Sequence, residues 1–531
     1  MAFAITQSCC SDAGCVSVCP VNCIHPAPGE PGFGTADILH IDPDTCIDCG
    51  ACSDACPVDA IFPVDRLGPR DLHFAEVNAA YYRDREVSQD QKPTEYVPLL
   101  RLPEGMRVAL VGTGPSAGYA LRTLLMRTDV QVTVIDKLPT PGGLVRSGVA
   151  PDHPATKNIT RGFDLHLRDP RVTVLGGVEV GRDVSPQDLA DHFDAVFYAI
   201  GASEPRRLGI PGEDLPGSTS ASAAVAWYNG IPDAPNPLQP ATVGRTVIVG
   251  TGNVALDIVR LFHTDLADLA RTDIADRALD FFEANRTREV VLLGRRGRDT
   301  GAHTPAEYTA LVNTPGVEIV TVDASVQDSI TVTAEVDGTA KRIVFLYDST
   351  PLEVLGSGVE GDDRVRAVRV RTGDVVRDIP ADNLISSIGY RTRPIPGLPF
   401  DDVAGRVPNE AGRISDASVA VAGSYVVGWA KRGPTGGIGA NRADAEETVQ
   451  AFISDAAEGR LETRPHAMGD FDTFLRRRGV QPVRARGIAT IDRVERRRGA
   501  PTGRPRVKLT SETELRQTAR ARRRRIFRSG D

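Results

Sequence analysis

The sequence predicts an α/β chain: two Rossmann-like dinucleotide-binding domains, preceded by a small α+β module rich in cysteine. Three observations carry this. A strand–glycine loop–helix–strand pattern runs from Arg107 to Asp136, RVALVGTGPSAGYALRTLLMRTDVQVTVID. A second glycine loop of the same kind, Gly250-Thr251-Gly252-Asn253-Val254-Ala255, closes the apolar run Thr246–Gly250. All nine cysteines lie between Cys9 and Cys56.

In the first pattern, Val108–Val111 reads as a buried strand, Ala117 to about Met126 as a helix, and Val130–Ile135 as a second strand ending on Asp136. Gly112 permits the tight turn, Gly114 lets the backbone approach a pyrophosphate, and Ala117 keeps helix and strand close. The phosphates would sit on the helix N-terminus, where free N–H groups and the dipole favour anions. Asp136 is placed to accept from a ribose hydroxyl.

The totals bound the rest. At 531 residues the chain is too long for one core, and three or four domains are expected. The composition, 41% hydrophobic and 25% charged, is that of a soluble protein. No apolar run reaches the ~18 residues of a spanning helix, so no membrane association is expected. The start, MAFAITQSCC, lacks a basic and then apolar leader, so the expected location is cytoplasmic. A formal net charge of −8 argues against nucleic acid as a partner of the whole chain. With no route to an oxidising compartment, the cysteines read as metal ligands rather than disulfides.

Cys46-x2-Cys49-x2-Cys52-x3-Cys56-Pro57 has the spacing of a bacterial iron–sulfur run, whose fourth cysteine ligates the other cluster. The first half supplies a partner run, Cys9-x2-Asp12-x2-Cys15-x3-Cys19-Pro20. By that logic Cys19 joins Cys46, Cys49 and Cys52 on one [4Fe–4S] cluster, and Cys56 joins Cys9 and Cys15. Asp12 stands where a cysteine would complete the first run. The second cluster is then [3Fe–4S] on three thiolates, or Asp12 ligates a labile fourth iron, or Cys10 substitutes at an unsuitable spacing; the favoured outcomes are [3Fe–4S] or a labile [4Fe–4S]. Cys10 and Cys23 are left as buried small residues. The stretch Met1 to about Val64 resembles two-cluster bacterial-type ferredoxins.

The second glycine loop opens a helix from Ala255 to about Thr264 and implies a second nucleotide. The next strand, Val290–Leu293, ends on Gly294-Arg295-Arg296-Gly297. An NAD site wants an acid there and a 2′-phosphate wants arginine, so the second site reads as NADP(H), held by Gly250, Thr251, Gly252, Asn253, Val254, Arg295 and Arg296. The distance from Gly250 to Arg295 is about twice the usual ~20 residues, and Asp265–Asn285 fills it as helix. Ile319–Leu355 is β-rich by alternation. Asn383–Tyr390 and Ser418–Trp429 read as buried strands, and Lys431–Ile438 as a tight turn into a helix.

Pro141–Val145, Ser147–Pro154 and Trp429–Gly436 resemble adrenodoxin-reductase-like ferredoxin–NADP reductases. The resemblance spans about Met106 to Ser454, and with the N-terminal module the chain is similar to actinobacterial ferredoxin/ferredoxin–NADP reductase fusions. It implies a discontinuous FAD-binding domain, with FAD on Ser116, Asp136, Leu144, Val180, Trp429, Gly436, Gly437 and Ile438. It places Glu307 and Gly436 near NADP and His153 near flavin and nicotinamide. Relatives carry a glutamate at the position of Ala310, and alanine cannot shuttle a proton.

The domain organisation expected is residues 1–75, ferredoxin; 76–104, linker; 105–205, first part of the FAD domain; 206–370, NADP domain; 371–456, second part of the FAD domain; and 457–531, a basic, partly disordered extension. The clusters Arg476–Arg478, Arg496–Arg498 and Arg522–Arg525 read as solvated surface or as a docking site for an acidic partner. The function implied is a ferredoxin–NADP(+) oxidoreductase, in which NADPH gives a hydride to FAD and single electrons pass to the clusters or to a separate ferredoxin or other one-electron acceptor protein. Two other readings are an electron-input subunit like the small subunit of glutamate synthase and a redox sensor without catalysis; the APDHP and KRGPTG segments favour the reductase.

Overall fold

The computed structural model describes residues 2–83, 85, 87, 99–103, 105–285, 287–298, 301–312, 314–322, 336, 341–359, 363–461 and 470–521. Among them, no helix is long and apolar enough to cross a membrane.

The N-terminal module repeats one unit. Helices Gly14–Val18 and Ala51–Ala55 are each entered through a left-handed residue, Ala13 and Gly50, and each left through a cysteine, Cys19 and Cys56, with the same backbone angles (φ −74°, ψ 116°). Strand Phe3–Ile5 pairs antiparallel with Ile61–Pro63, and Ile24–His25 with His40–Ile41. The repeat is therefore in the backbone as well as in the cysteine spacing. The module also runs further than the expected linker boundary. Helix His73–Tyr82 closes it: the Asn78 Oδ1 accepts from the backbone N–H groups of Ile5 and Ile41, and the Tyr82 hydroxyl donates to the His40 carbonyl. Beside these polar contacts only Phe74 is buried as an apolar side chain of this helix, so periodicity gave little sign of it. Most of the remaining linker lies outside the described residues.

The FAD-type half is an eight-stranded sheet. Its order is Asn409–Glu410, Arg413–Asp416, Val419–Val426, Ala195–Tyr198, Arg107–Val111, Gln131–Asp136, Val172–Gly176 and Val483–Arg484. The central strand Arg107–Val111 is buried along its whole length. Val108 and Leu110 face helix Pro115–Arg127 and helix Ala440–Ala457, while Ala109 and Val111 face a second core on the opposite side. Burial on both faces is why the strand reads as a continuous apolar run.

The second half is a six-stranded parallel sheet, in the order Ser218–Ser220, Asn383–Ser386, Arg245–Val249, Glu289–Leu293, Lys341–Leu346 and Val317–Val322, with a three-stranded antiparallel layer at Ser349–Gly356, Val365–Thr372 and Val375–Pro380. The domain boundary at residue 370 is thus too early. Val375–Pro380 completes that layer, and Asn383–Ser386 pairs parallel with Thr246–Val249 in the second sheet. The chain crosses between halves at Glu204–Pro205, which pairs with Tyr390–Arg391.

The C-terminal extension, expected to be partly disordered, is ordered over residues 470–521. Strand Val483–Arg484 adds antiparallel to Val172–Gly176 and covers that sheet edge. Helices Asp470–Arg477, Ala485–Gly499 and Glu512–Arg520 accompany it. Its charged residues find partners elsewhere: the buried Glu495 pairs with Arg146 at 2.6 Å, Lys508 with Asp273 at 3.0 Å, and Arg504 with Asp276 at 2.5 Å. Arg522–Arg525 lie outside the described residues.

Candidate functional site

The two glycine turns are built alike. Gly112 (φ +111°) and Gly250 (φ +117°) end the central strands, and a Cβ on either would lie 2.4 and 2.3 Å from the carbonyl oxygens of Ala199 and Ser387. Only glycine fits both the angle and the space. Gly114 and Gly252 are the N-caps of helices Pro115–Arg127 and Asn253–His263, with no side-chain cap on either, so their first N–H groups are available to a phosphate. A Cβ on Gly252 would meet nothing within 4 Å: the approach to that turn is open.

Asp136 ends its strand half-buried. Its carboxylate accepts from the Thr113 hydroxyl and, at 2.8 Å, from the Leu138 N–H, so it is oriented with lone pairs to spare. Burial raises its pKa, against those hydrogen bonds. Gly143 approaches the same turn so closely that its Cβ would lie 2.5 Å from the Cα of Gly114. Leu144 follows, exposed. Ser116 Oγ donates to Asn441 at 2.7 Å, and Trp429 Nε1 donates to the Gly436 carbonyl at 3.2 Å. The loop 436–438 and the turn 112–117 are therefore brought to one place. Val180 is buried in the core beyond Asp136, packed with Val178 and Leu175.

At the other half, Arg295 and Arg296 are exposed at the end of Glu289–Leu293. Between the halves, Arg260 pairs with Asp152 at 2.5 Å, Asp257 at 2.5 Å and Glu307 at 3.1 Å. It ties the Ala150–His153 loop to the second domain. Donor atoms of His153, Asp257 and Glu307 all lie within 4.8 Å of one another. Burial pushes the Asp257 carboxyl up to about 6, with Arg260 opposing and Glu307 adding to the rise. Asp257 and Arg260 were not singled out as functional from the sequence, although two charged residues three apart on an otherwise apolar helix were a visible signal.

The cysteines fall into two groups. Cys19, Cys46, Cys49 and Cys52 line one cavity, with Cys23 beside them. Four thiols round one hollow fit an iron–sulfur cube. Cys9, Cys15 and Cys56 form the other group, each raised by burial and by its neighbours' charge, so that bound iron rather than water would keep them thiolates. N–H groups of Ser11 and Ala60 donate to the sulfurs of Cys9 and Cys56 at 3.3 Å. The carboxylate of Asp12 lies near enough to this group to help raise the Cys15 and Cys56 thiols. Its Oδ1 accepts from the Gly14 N–H at 3.2 Å and its Oδ2 from the Tyr119 hydroxyl at 2.8 Å. Cys10 and Cys23 are buried.

This second group abuts the flavin-type half. The Gly439 N–H donates to the Cys10 carbonyl at 2.7 Å, Arg442 donates to the Asp12 carbonyl at 3.0 Å, and Thr156 donates to the Ser8 carbonyl at 3.2 Å. A Cβ on Gly439 would lie 1.8 Å from the Ser11 carbonyl oxygen.

Residues 39–62 match the 4Fe-4S binding domain family, and residues 106–438 match the pyridine nucleotide-disulphide oxidoreductase family. A probable ferredoxin/ferredoxin–NADP reductase of Mycobacterium bovis is 42% identical, over 97% of this chain and 94% of its own. The chain belongs to the ferredoxin/ferredoxin–NADP reductases. The counterpart from Mycobacterium leprae is 40% identical over 97% of each chain. Within the family's reductase part, the solved structure of Mycobacterium tuberculosis FprA in complex with NADPH is 38% identical, with a TM-score of 0.70 over 78% of this chain and all of that one. The chain is accordingly an FAD-dependent oxidoreductase, with two nucleotide-binding folds and an N-terminal iron–sulfur module.

Proposed function

We propose that NADPH is held on Gly250–Val254, Arg295, Arg296 and Glu307, with FAD on Gly112, Gly114, Ser116, Ala117, Asp136, Leu144, Val180, Trp429 and Gly436–Ile438, and that Gly436 also approaches the nicotinamide nucleotide. Cys19, Cys46, Cys49 and Cys52 hold a [4Fe–4S] cluster. Cys9, Cys15 and Cys56 hold a [3Fe–4S] or a labile [4Fe–4S] cluster, because Asp12 supplies a hard carboxylate where a fourth thiolate would stand and that carboxylate is shared with Gly14 and Tyr119. FAD, when bound, exchanges electron pairs with NADPH and single electrons with iron–sulfur clusters.

The chain's own groups do the rest. The two helix N-termini fix the dinucleotides through backbone N–H groups, and the Arg295–Arg296 pair selects the 2′-phosphate. Arg260 pairs with three carboxylates and, through Asp152, holds the loop that carries His153 between the halves, where His153 can donate from its ring at the nicotinamide face. With alanine at 310, Asp257 and Glu307 are the carboxylates left beside His153. The fused module is the first acceptor, and a separate ferredoxin or another one-electron acceptor protein in the cytoplasm is the second.

The observation that carries this reading is the seating of the Cys9–Cys15 loop on Gly439, next to the loop 436–438. It is tested by removing residues 1–83. NADPH-dependent flavin reduction should persist while reduction of cytochrome c through the clusters is lost; loss of flavin reduction as well would mean that the module is structural for the flavin site.

A further inference from the structure

Asn253 is the first residue of helix Asn253–His263, at the tip of the second glycine turn. Its amide is engaged at both ends. The oxygen accepts from the Thr304 N–H at 3.0 Å, and the nitrogen donates to both carboxylate oxygens of Asp37, at 3.0 and 3.2 Å. Asp37 belongs to the iron–sulfur module. It is tied there to the cluster loop: Ser11 Oγ donates to the carbonyls of Ala36 and Asp37 at 3.2 and 3.0 Å, and the Ser11 N–H donates to the Cys9 sulfur. A run of hydrogen bonds thus joins a cluster ligand to the pyridine-nucleotide turn.

The charge at this contact is unusual. A helix N-terminus with an open glycine turn invites an anion. Asp37 already places one there, and the nearby acids Glu307 and Asp257 face it as well. Burial and those two acids push the Asp37 carboxyl up to about 7. A pyrophosphate arriving on the same turn finds the Asn253 nitrogen taken, and meets a like charge wherever Asp37 is ionised.

We propose that Asp37 is a latch between module and nucleotide: seated, it occupies the Asn253 amide and opposes the pyrophosphate of NADP(H), so that docking of the iron–sulfur module and retention of the nucleotide weaken each other. This rests on reading the second glycine turn as the NADP(H) site. By linkage the opposition is reciprocal, so the docked state sheds NADP+ and nucleotide binding loosens the module. Asp37 acts through Asn253 and is a positioning residue.

The test is equilibrium titration of the full-length holoprotein with NADP+ and, separately, with 2′-AMP, which reaches Arg295 and Arg296 but carries no pyrophosphate. Asp37→Ala and Asp37→Asn should each tighten NADP+ by about fivefold or more, the low end of ordinary coupling between sites, and leave 2′-AMP unchanged. Iron and flavin content of the variants establishes that they are folded. Unchanged or weaker NADP+ binding in both variants overturns the latch, as does an equal gain for 2′-AMP, which would mean a general opening of the site. A separate arm guards the underlying reading: Arg295→Ala with Arg296→Ala should abolish 2′-AMP binding, and its persistence would remove the NADP(H) assignment and the latch with it.

Discussion

The hydroxyl of Tyr119, on the first helix of the flavin-type half, donates to Asp12 Oδ2 at 2.8 Å across the boundary between module and reductase. Asp12 stands where a fourth cluster ligand would be, and its carboxylate is spent on the neighbouring domain. The residue at this position of the cysteine run thus also anchors the module to the reductase part. Asp12→Cys should restore the ligand and convert the second cluster to [4Fe–4S], seen as loss of the [3Fe–4S] signal in the EPR spectrum of the air-oxidised protein and as one added iron. An unchanged spectrum would count against a three-thiolate site.

Nucleotide choice should follow the two arginines at the end of Glu289–Leu293. Replacing both Arg295 and Arg296 by alanine would remove charge-assisted hydrogen bonds worth ~1.5–3 kcal/mol each, so KM for NADPH should rise about a hundredfold or more. KM for NADH should hardly move. Equal effects on the two coenzymes would refute the 2′-phosphate role.

Gly439 leaves no room for a side chain against Ser11. Gly439→Val should therefore unseat the Cys9–Cys15 loop. The tether still keeps the module at an effective concentration of about millimolar, so internal electron transfer is slowed rather than abolished. Stopped-flow absorbance should show cluster reduction lagging further behind flavin reduction than in the wild type; identical lags would mean that this contact does not set the path.

The C-terminal extension carries its own stability test. Asp273 is buried and pairs with Lys157 at 2.6 Å and with Lys508 at 3.0 Å. Burial alone would raise its carboxyl, but the two ammonium groups hold it well below the ordinary carboxylate value. Asp273→Ala leaves buried positive charge uncompensated and should cost about 3–5 kcal/mol, read as a lower Tm. A carboxyl depressed in the folded state stabilises fully above its unfolded pKa of about 3.9 and loses that contribution as pH falls through the folded value. The gap between wild type and variant should be constant near neutrality and shrink below about pH 4.

What the sequence made legible was local. Each glycine turn sits between its own strand and helix, so order along the chain was enough to find both. Cysteine spacing showed the two-unit repeat because each unit is one short loop and helix. The contacts that join the parts had no such signature. Tyr119 reaches Asp12 across 107 positions and Asn253 reaches Asp37 across 216. The extension misled by composition: many arginines imply solvation, yet Arg504 is buried against carbonyls of Thr272 and Ile274 and the carboxylate of Asp276. Its partners lie far back in the chain. The boundary at residue 370 failed for a related reason, since Asn383–Ser386 returns to the second sheet only after the antiparallel layer is finished.

The central claim is that electrons pass between NADPH and the iron–sulfur module through a flavin held beside the Cys9–Cys15 loop. Anaerobic titration of the full-length protein with NADPH, following flavin and cluster absorbance together, tests it most directly. Flavin bleaching followed by loss of cluster absorbance in the same molecules is the result predicted. A protein whose flavin is reduced while its clusters stay oxidised, although dithionite reduces them, would contradict it.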